Sequence, residues 1–129
     1  MARPSSSQPT EVELQILRIL WNHGPSTARQ IHNQLAEVRD TNYSTTVKML
    51  SVMLDKGLVR RDESVRPQEF RAAATQERTQ QRMLTDLIQR AYDGSAGSLV
   101  LQALASQEAS PAELAEIRQL LNDLEGGER

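Results

Sequence analysis

Between residues 12 and 21 the apolar positions are Val12, Leu14, Ile16, Leu17, Ile19, Leu20 and Trp21. Leu14, Leu17 and Trp21, joined by Leu20, form a stripe at three- and four-residue spacing, which predicts an amphipathic helix. Thr10 followed by Glu13 has the form of a capping box at its start. Asn22-His23-Gly24-Pro25 ends it, because Gly then Pro cannot continue a helix. A second helix is expected from Thr27 to about Val38, capped by Ser26 and burying Ala28, Ile31 and Leu35. After the polar link Arg39 to Asn42, a third runs from about Tyr43 to Lys56 and stops at Gly57.

The pattern then changes period. Leu58 to Asp62 reads as a strand, Glu63 to Gln68 as a loop holding a proline and several charges, and Glu69 to Ala73 as a return strand. The two strands predict a hairpin whose six-residue loop exceeds the commonest types. Three helices followed by a hairpin is the order of a winged helix-turn-helix. Thr75 can cap a fourth helix reaching about Tyr92, with apolar Met83, Leu84, Leu87, Ile88 and Ala91, stopped by Asp93-Gly94-Ser95. Ser98 to Ala105 is a short helix, apolar almost all round, which implies burial on several sides. Ser110-Pro111-Ala112-Glu113 starts a last helix, which carries Leu114, Ile117, Leu120, Leu121 and Leu124 and ends at Gly126-Gly127. The expected organisation is mainly α: a disordered tail at 1–9, a winged-helix domain at 10–74 and a helical region at 75–129.

Composition narrows the class. Aromatic residues are 3% of the 129 positions, so the core must come from Leu, Ile, Val, Met and Ala, which suits helices. No apolar run approaches the roughly 20 residues that span a bilayer, and MARPSSSQP has no apolar segment of a secretory signal. The absence of cysteine excludes disulfides, thiolate metal sites and cysteine nucleophiles, and suits the cytosol. The net charge of −2 is unevenly spread. Residues 1–74 carry 10 basic and 8 acidic side chains, whereas 75–129 carry 5 and 9. Only the front half suits a polyanion.

The third helix carries the chemistry. At 100° per residue, Tyr43, Val47, Leu50 and Leu54 fall on one side, flanked by Thr46 and Met53, as the expected core face. Opposite lie Ser44, Thr45, Lys48, Met49, Val52 and Lys56. In a winged helix that face enters the major groove. Hydroxyls, methyls and an ammonium there can meet base edges, thymine methyls and phosphates, and no carboxylate precedes the last turn. The hairpin offers Arg60, Arg61, Arg66 and Arg71 to the duplex backbone, where contacts orient without reading sequence. The alternative for these arginines is pairing with Asp62, Glu63 and Glu69. Ser26, Thr27 and Arg29 stand where a helix start could hold a phosphate; capping alone serves Ser26 equally well.

The chain resembles the BlaI/MecI/CopY-type bacterial repressors, the penicillinase repressor family. The matching stretches are Thr10 to Leu17, Leu20-Trp21, Gly24-Pro25, Tyr43 to Leu50, Lys56 to Val59, Tyr92 to Ser95, Ser98 to Leu101 and Ser110 to Leu114. The resemblance covers about residues 8 to 125. It implies a cytoplasmic, cofactor-free homodimer whose winged helices each bind half of a palindromic operator in double-stranded DNA. The C-terminal helices would interlock through Met83, Leu84, Leu87, Ile88, Leu99, Leu101, Leu104, Ile117, Leu120, Leu121 and Leu124. The apolar surface of these helices, more than one small bundle hides, agrees with this; folding back on the winged helix is the alternative.

Two departures stand out. The cysteine motif of copper-responsive members is missing. The Asn-Phe pair at which members controlled by a membrane peptidase-type sensor are cleaved is replaced by Gln102-Ala103, which puts β-lactam-triggered cleavage in question. Two rival readings differ in class. An enzyme is poorly supported: His23 and His32 lie nine residues apart across a helix boundary, and no phosphate loop, zinc motif or serine elbow is present. A winged helix used only for protein contact would turn Met49 and Val52 into an interface.

Overall fold

The computed structural model describes residues 8–127. Of the tail expected at 1–9, residues 1–7 lie outside the described residues. Helix α1 is Glu11–His23, strand β1 Ser26–Thr27, α2 Ala28–Leu35, α3 Tyr43–Asp55, β2 Val59–Asp62, β3 Glu69–Ala72, α4 Gln76–Ala91, α5 Ala96–Ser106 and α6 Pro111–Gly126. The architecture is a mainly helical winged helix followed by C-terminal helices.

The ends of α1 form as the residues dictate. The Thr10 hydroxyl accepts from the Glu13 N–H at 3.3 Å, and the Glu13 carboxylate accepts from the Thr10 N–H at 2.9 Å. Gly24, at φ 79°, takes the left-handed turn that a side chain disfavours, and its N–H closes on the Leu20 carbonyl. The buried stripe runs through Glu13, Ile16, Leu17 and Leu20, while Leu14 and Trp21 are only half-buried. Trp21 sits at the rim because its indole N–H donates to the Ala74 carbonyl at 2.9 Å, where the hairpin leaves the core.

The second helix is shorter than expected, and its cap is Thr27. The Thr27 hydroxyl accepts from the Gln30 N–H, and the Gln30 side chain accepts from the Thr27 N–H. Ser26 is not the cap. It is drawn into β1, which adds a third strand to the hairpin in the order β1-β3-β2. There it pairs with Phe70, and its buried hydroxyl donates to the Gly24 carbonyl at 2.9 Å. After Leu35 the chain turns, with Arg39 N–H also reaching the Leu35 carbonyl.

One core joins these elements. Ile16, Leu17 and Leu20 of α1 pack with Ile31 and Leu35 of α2, Leu50 and Met53 of α3, Val59 of β2 and Phe70 of β3. Each such side chain stabilises the fold by roughly 1.5–3 kcal/mol relative to exposure. Gly57, at φ 76°, ends α3 and directs the chain into the hairpin. The strands match the expected ones within a residue at each edge.

The chain forms two compact units that divide within α4, after Leu84. Thr75 caps α4 through its hydroxyl, which accepts from the Arg78 N–H, and Thr79 is buried. In the second unit Asp93 and Gly94 take positive φ values of 50° and 81° and stop α4. Ser95 caps α5, and the Ser110–Glu113 box caps α6. The burial expected for α5 is not met within the single chain: neither α5 nor α6 has a buried residue, and Leu101 is 73% exposed.

Candidate nucleic-acid interface

Helix α3 is rotated from the orientation that periodicity suggested. Thr46, Leu50 and Met53 are buried. Tyr43 and Val47, expected in the core, are exposed, and Met49, expected outside, is half-buried against the core. The rotation follows from Thr46. Its hydroxyl is satisfied inside, 2.9 Å from Nδ1 of His32 on α2, so a polar residue can occupy the centre of the packed face at little cost. The outward face is therefore Tyr43, Ser44, Thr45, Val47, Lys48, Ser51 and Val52, with Asp55 at its far end.

Asn42 shapes the leading end of this face. Its side chain accepts from the Thr45 N–H and from the Ser44 hydroxyl, each at 2.9 Å. Ser44 and Thr45 thus stand in fixed positions at the first turn. Lys48 is exposed one turn on. Ser51 was missed by sequence reasoning, although the same wheel sets it about 20° from Ser44; its small polar side chain was the signal. Asp55 is the sole carboxylate of α3.

Lys56 does not belong to the outward face. Its ammonium lies 2.7 Å from the Glu13 carboxylate and also donates to the Gln8 carbonyl at 3.2 Å. It turns inward because Glu13 is 2% exposed and needs a counter-charge. Ser26 is buried, with its hydroxyl bonded to Gly24, so it offers no free donor at the start of α2. Thr27 is half-buried in its capping box, while Arg29 is exposed with its guanidinium over the Tyr43 ring.

The hairpin places two like charges side by side. Arg60 on β2 and Arg71 on β3 are direct cross-strand partners. Such a pair is unfavourable unless an anion joins it. Among the described residues neither forms a close ion pair with a carboxylate, although the Arg71 charge acts on Asp62 across the hairpin; Arg61 lies 3.7 Å from Glu63. Arg66 is exposed in the loop between the strands. The loop is braced where the Ser64 hydroxyl and N–H donate to the Asp62 carboxylate at 2.5 and 2.9 Å. Those two bonds, the hydroxyl's first, hold Asp62 below its ordinary range.

The family model described as penicillinase repressor matches residues 9–123. The chain belongs to the penicillinase repressor family. Its relatives include the methicillin resistance regulatory protein MecI of Mammaliicoccus sciuri, 21% identical over 113 residues, covering 88% of this chain and 92% of that protein. A penicillinase repressor of Bacillus licheniformis is 21% identical over 116 residues, covering 90% and 91%. Both relatives are regulators by name, so membership places this chain among transcriptional regulators. Within the family frame, Gln102 and Ala103 lie exposed on α5. No described helix is long and apolar enough to cross a membrane.

Proposed function

We propose that this protein is a homodimeric, cytoplasmic transcriptional repressor that binds a palindromic operator, one winged helix to each half-site. The observation that carries the reading is the free outward face of α3. Ser44, Thr45, Lys48, Ser51 and Val52 lie open on one side, and no carboxylate interrupts them before Asp55. Hydroxyls and an ammonium suit base edges and phosphates, and the Val52 methyls suit thymine. Arg60 and Arg71 are exposed cross-strand partners that one phosphate could meet together. Arg66 and Arg29 are exposed cations that can meet further phosphates.

Dimerisation is proposed from the apolar surface of the C-terminal helices. Leu87, Leu101, Leu104, Leu120, Leu121 and Leu124 are all exposed in the single chain. A surface of that kind needs a partner to leave water, and a second copy meets the symmetry of a palindrome. Met83, Ile88, Leu99 and Ile117 are half-buried beside them, and Leu84 is exposed on α4. A membrane peptidase-type sensor is the controlling partner that the family likeness supports.

Selection of bound fragments from fragmented genomic DNA with the purified protein tests the reading. The expected outcome is a two-fold symmetric sequence bound more weakly as salt rises. Recovery of no enriched sequence would favour the protein-contact module instead.

A further inference from the structure

The guanidinium of Arg29 on α2 lies over the ring of Tyr43 on α3 at the surface. The guanidinium carbon lies 3.9 Å from the centre of the tyrosine ring. The ring is steadied by His32, whose ring meets it edge to face with centroids 5.7 Å apart and planes at 85°. His32 is steadied in turn by the contact of its Nδ1 with Thr46 Oγ1 at 2.9 Å, and Thr46 is fully buried. A continuous line of contacts therefore leads from the core to an exposed cation. Among the described residues no carboxylate pairs with Arg29.

Stacking uses the face of a guanidinium and leaves the in-plane N–H donors free. Those donors match two oxygens of one phosphate. Tyr43 stands in the first turn of α3, beside Ser44 and Thr45, so the free edge of Arg29 lies next to the outward face already described. We propose that Tyr43 is a positioning residue that holds Arg29 as a pre-formed clamp for a backbone phosphate of duplex DNA. The proposal rests on the DNA-binding reading above and adds a role to a residue expected in the core. Fixing the arginine beforehand removes ordering cost that a free side chain would meet on binding.

The test is a fluorescence titration of the full-length protein against a labelled random-sequence duplex of about 30 base pairs, at several salt concentrations, with thermal midpoints measured alongside. Arg29→Gln, which removes one phosphate contact from each subunit of the dimer, lowers the slope of log affinity against log salt by about 1.8. Tyr43→Leu weakens binding on the order of fivefold, in line with the strength of a cation–π contact, and Tyr43→Phe restores it. Adding Arg29→Gln to Tyr43→Leu then weakens binding much less than Arg29→Gln alone. If Tyr43→Leu fails to fold, the Arg29→Gln slope decides, and an unchanged slope overturns the clamp. A wild type that binds with a salt slope while Tyr43→Leu matches it in affinity and slope overturns the clamp and leaves the DNA reading standing. A wild type without salt-dependent binding overturns both.

Discussion

Glu13 and Lys56 meet at 2.7 Å although 43 residues separate them. Glu13 serves twice, capping α1 through Thr10 and pairing with Lys56 at the end of α3. The lysine also donates to the Gln8 carbonyl. One carboxylate thus ties the start of the first helix to the end of the helix that carries the outward face. Removing one member of a buried pair strands the other. Lys56→Ala should destabilise the fold by about 3 kcal/mol, read from urea unfolding, while leaving the salt slope of DNA binding unchanged. A lowered salt slope with unchanged stability would return Lys56 to the DNA contacts.

Lys48 is the opposite case. It is exposed and has no partner among the described residues. Lys48→Ala should leave the unfolding midpoint within experimental error. It should weaken binding to the selected operator by about 1–3 kcal/mol where the ammonium meets a base edge. Unaltered affinity in a binding isotherm would remove Lys48 from the interface.

Leu120 lies 58% exposed on α6, next to exposed Leu121 and one turn from exposed Leu124. Leu120→Asp places a charge in this apolar seam. Sedimentation equilibrium should show a dimer for the wild type and a monomer for the variant. A variant dimer of undiminished affinity would move the interface elsewhere.

Asp62 links acidity to order in the hairpin loop. Its pKa is lowered in the fold, first by the Ser64 hydroxyl and then by the Ser64 N–H. A depressed carboxylate contributes stability that is complete above its unfolded value of about 3.9 and fades as pH falls through the lower folded value. Ser64→Ala should raise the Asp62 titration midpoint, followed by carboxyl NMR shifts. A midpoint that stays in place would remove the hydroxyl bond from the account.

Much of this fold was legible because its signals are local. The Thr10–Glu13 and Ser110–Glu113 boxes, the Gly24, Gly57 and Gly94 stops, and the switch from helical to strand period are each carried by adjacent residues. Strand β1 was not, since two residues have no period and pair only because β3 is beside them. The rotation of α3 escaped for a related reason. Its apolar residues Tyr43, Val47, Met49, Leu50, Val52, Met53 and Leu54 surround much of the helix, so hydrophobicity alone does not choose the inner side. His32 chooses it by accepting Thr46 into the core. Lys56 escaped because its partner Glu13 is distant in sequence, and a helix wheel contains no partner. The wing arginines and Ser44, Thr45, Lys48 and Val52 needed no such knowledge; all stand exposed on their expected elements.

The central claim is that the outward side of α3 enters a DNA groove with the hairpin alongside. The most direct measurement is the change in amide NMR shifts when the selected duplex is added to isotope-labelled protein. The largest changes are predicted at Ser44, Thr45, Lys48, Ser51 and Val52, with a second set at Arg60 and Arg71 and little change at Leu50 or Met53. Saturable binding with these outward positions unmoved, and the changes confined to other surfaces, would contradict the account.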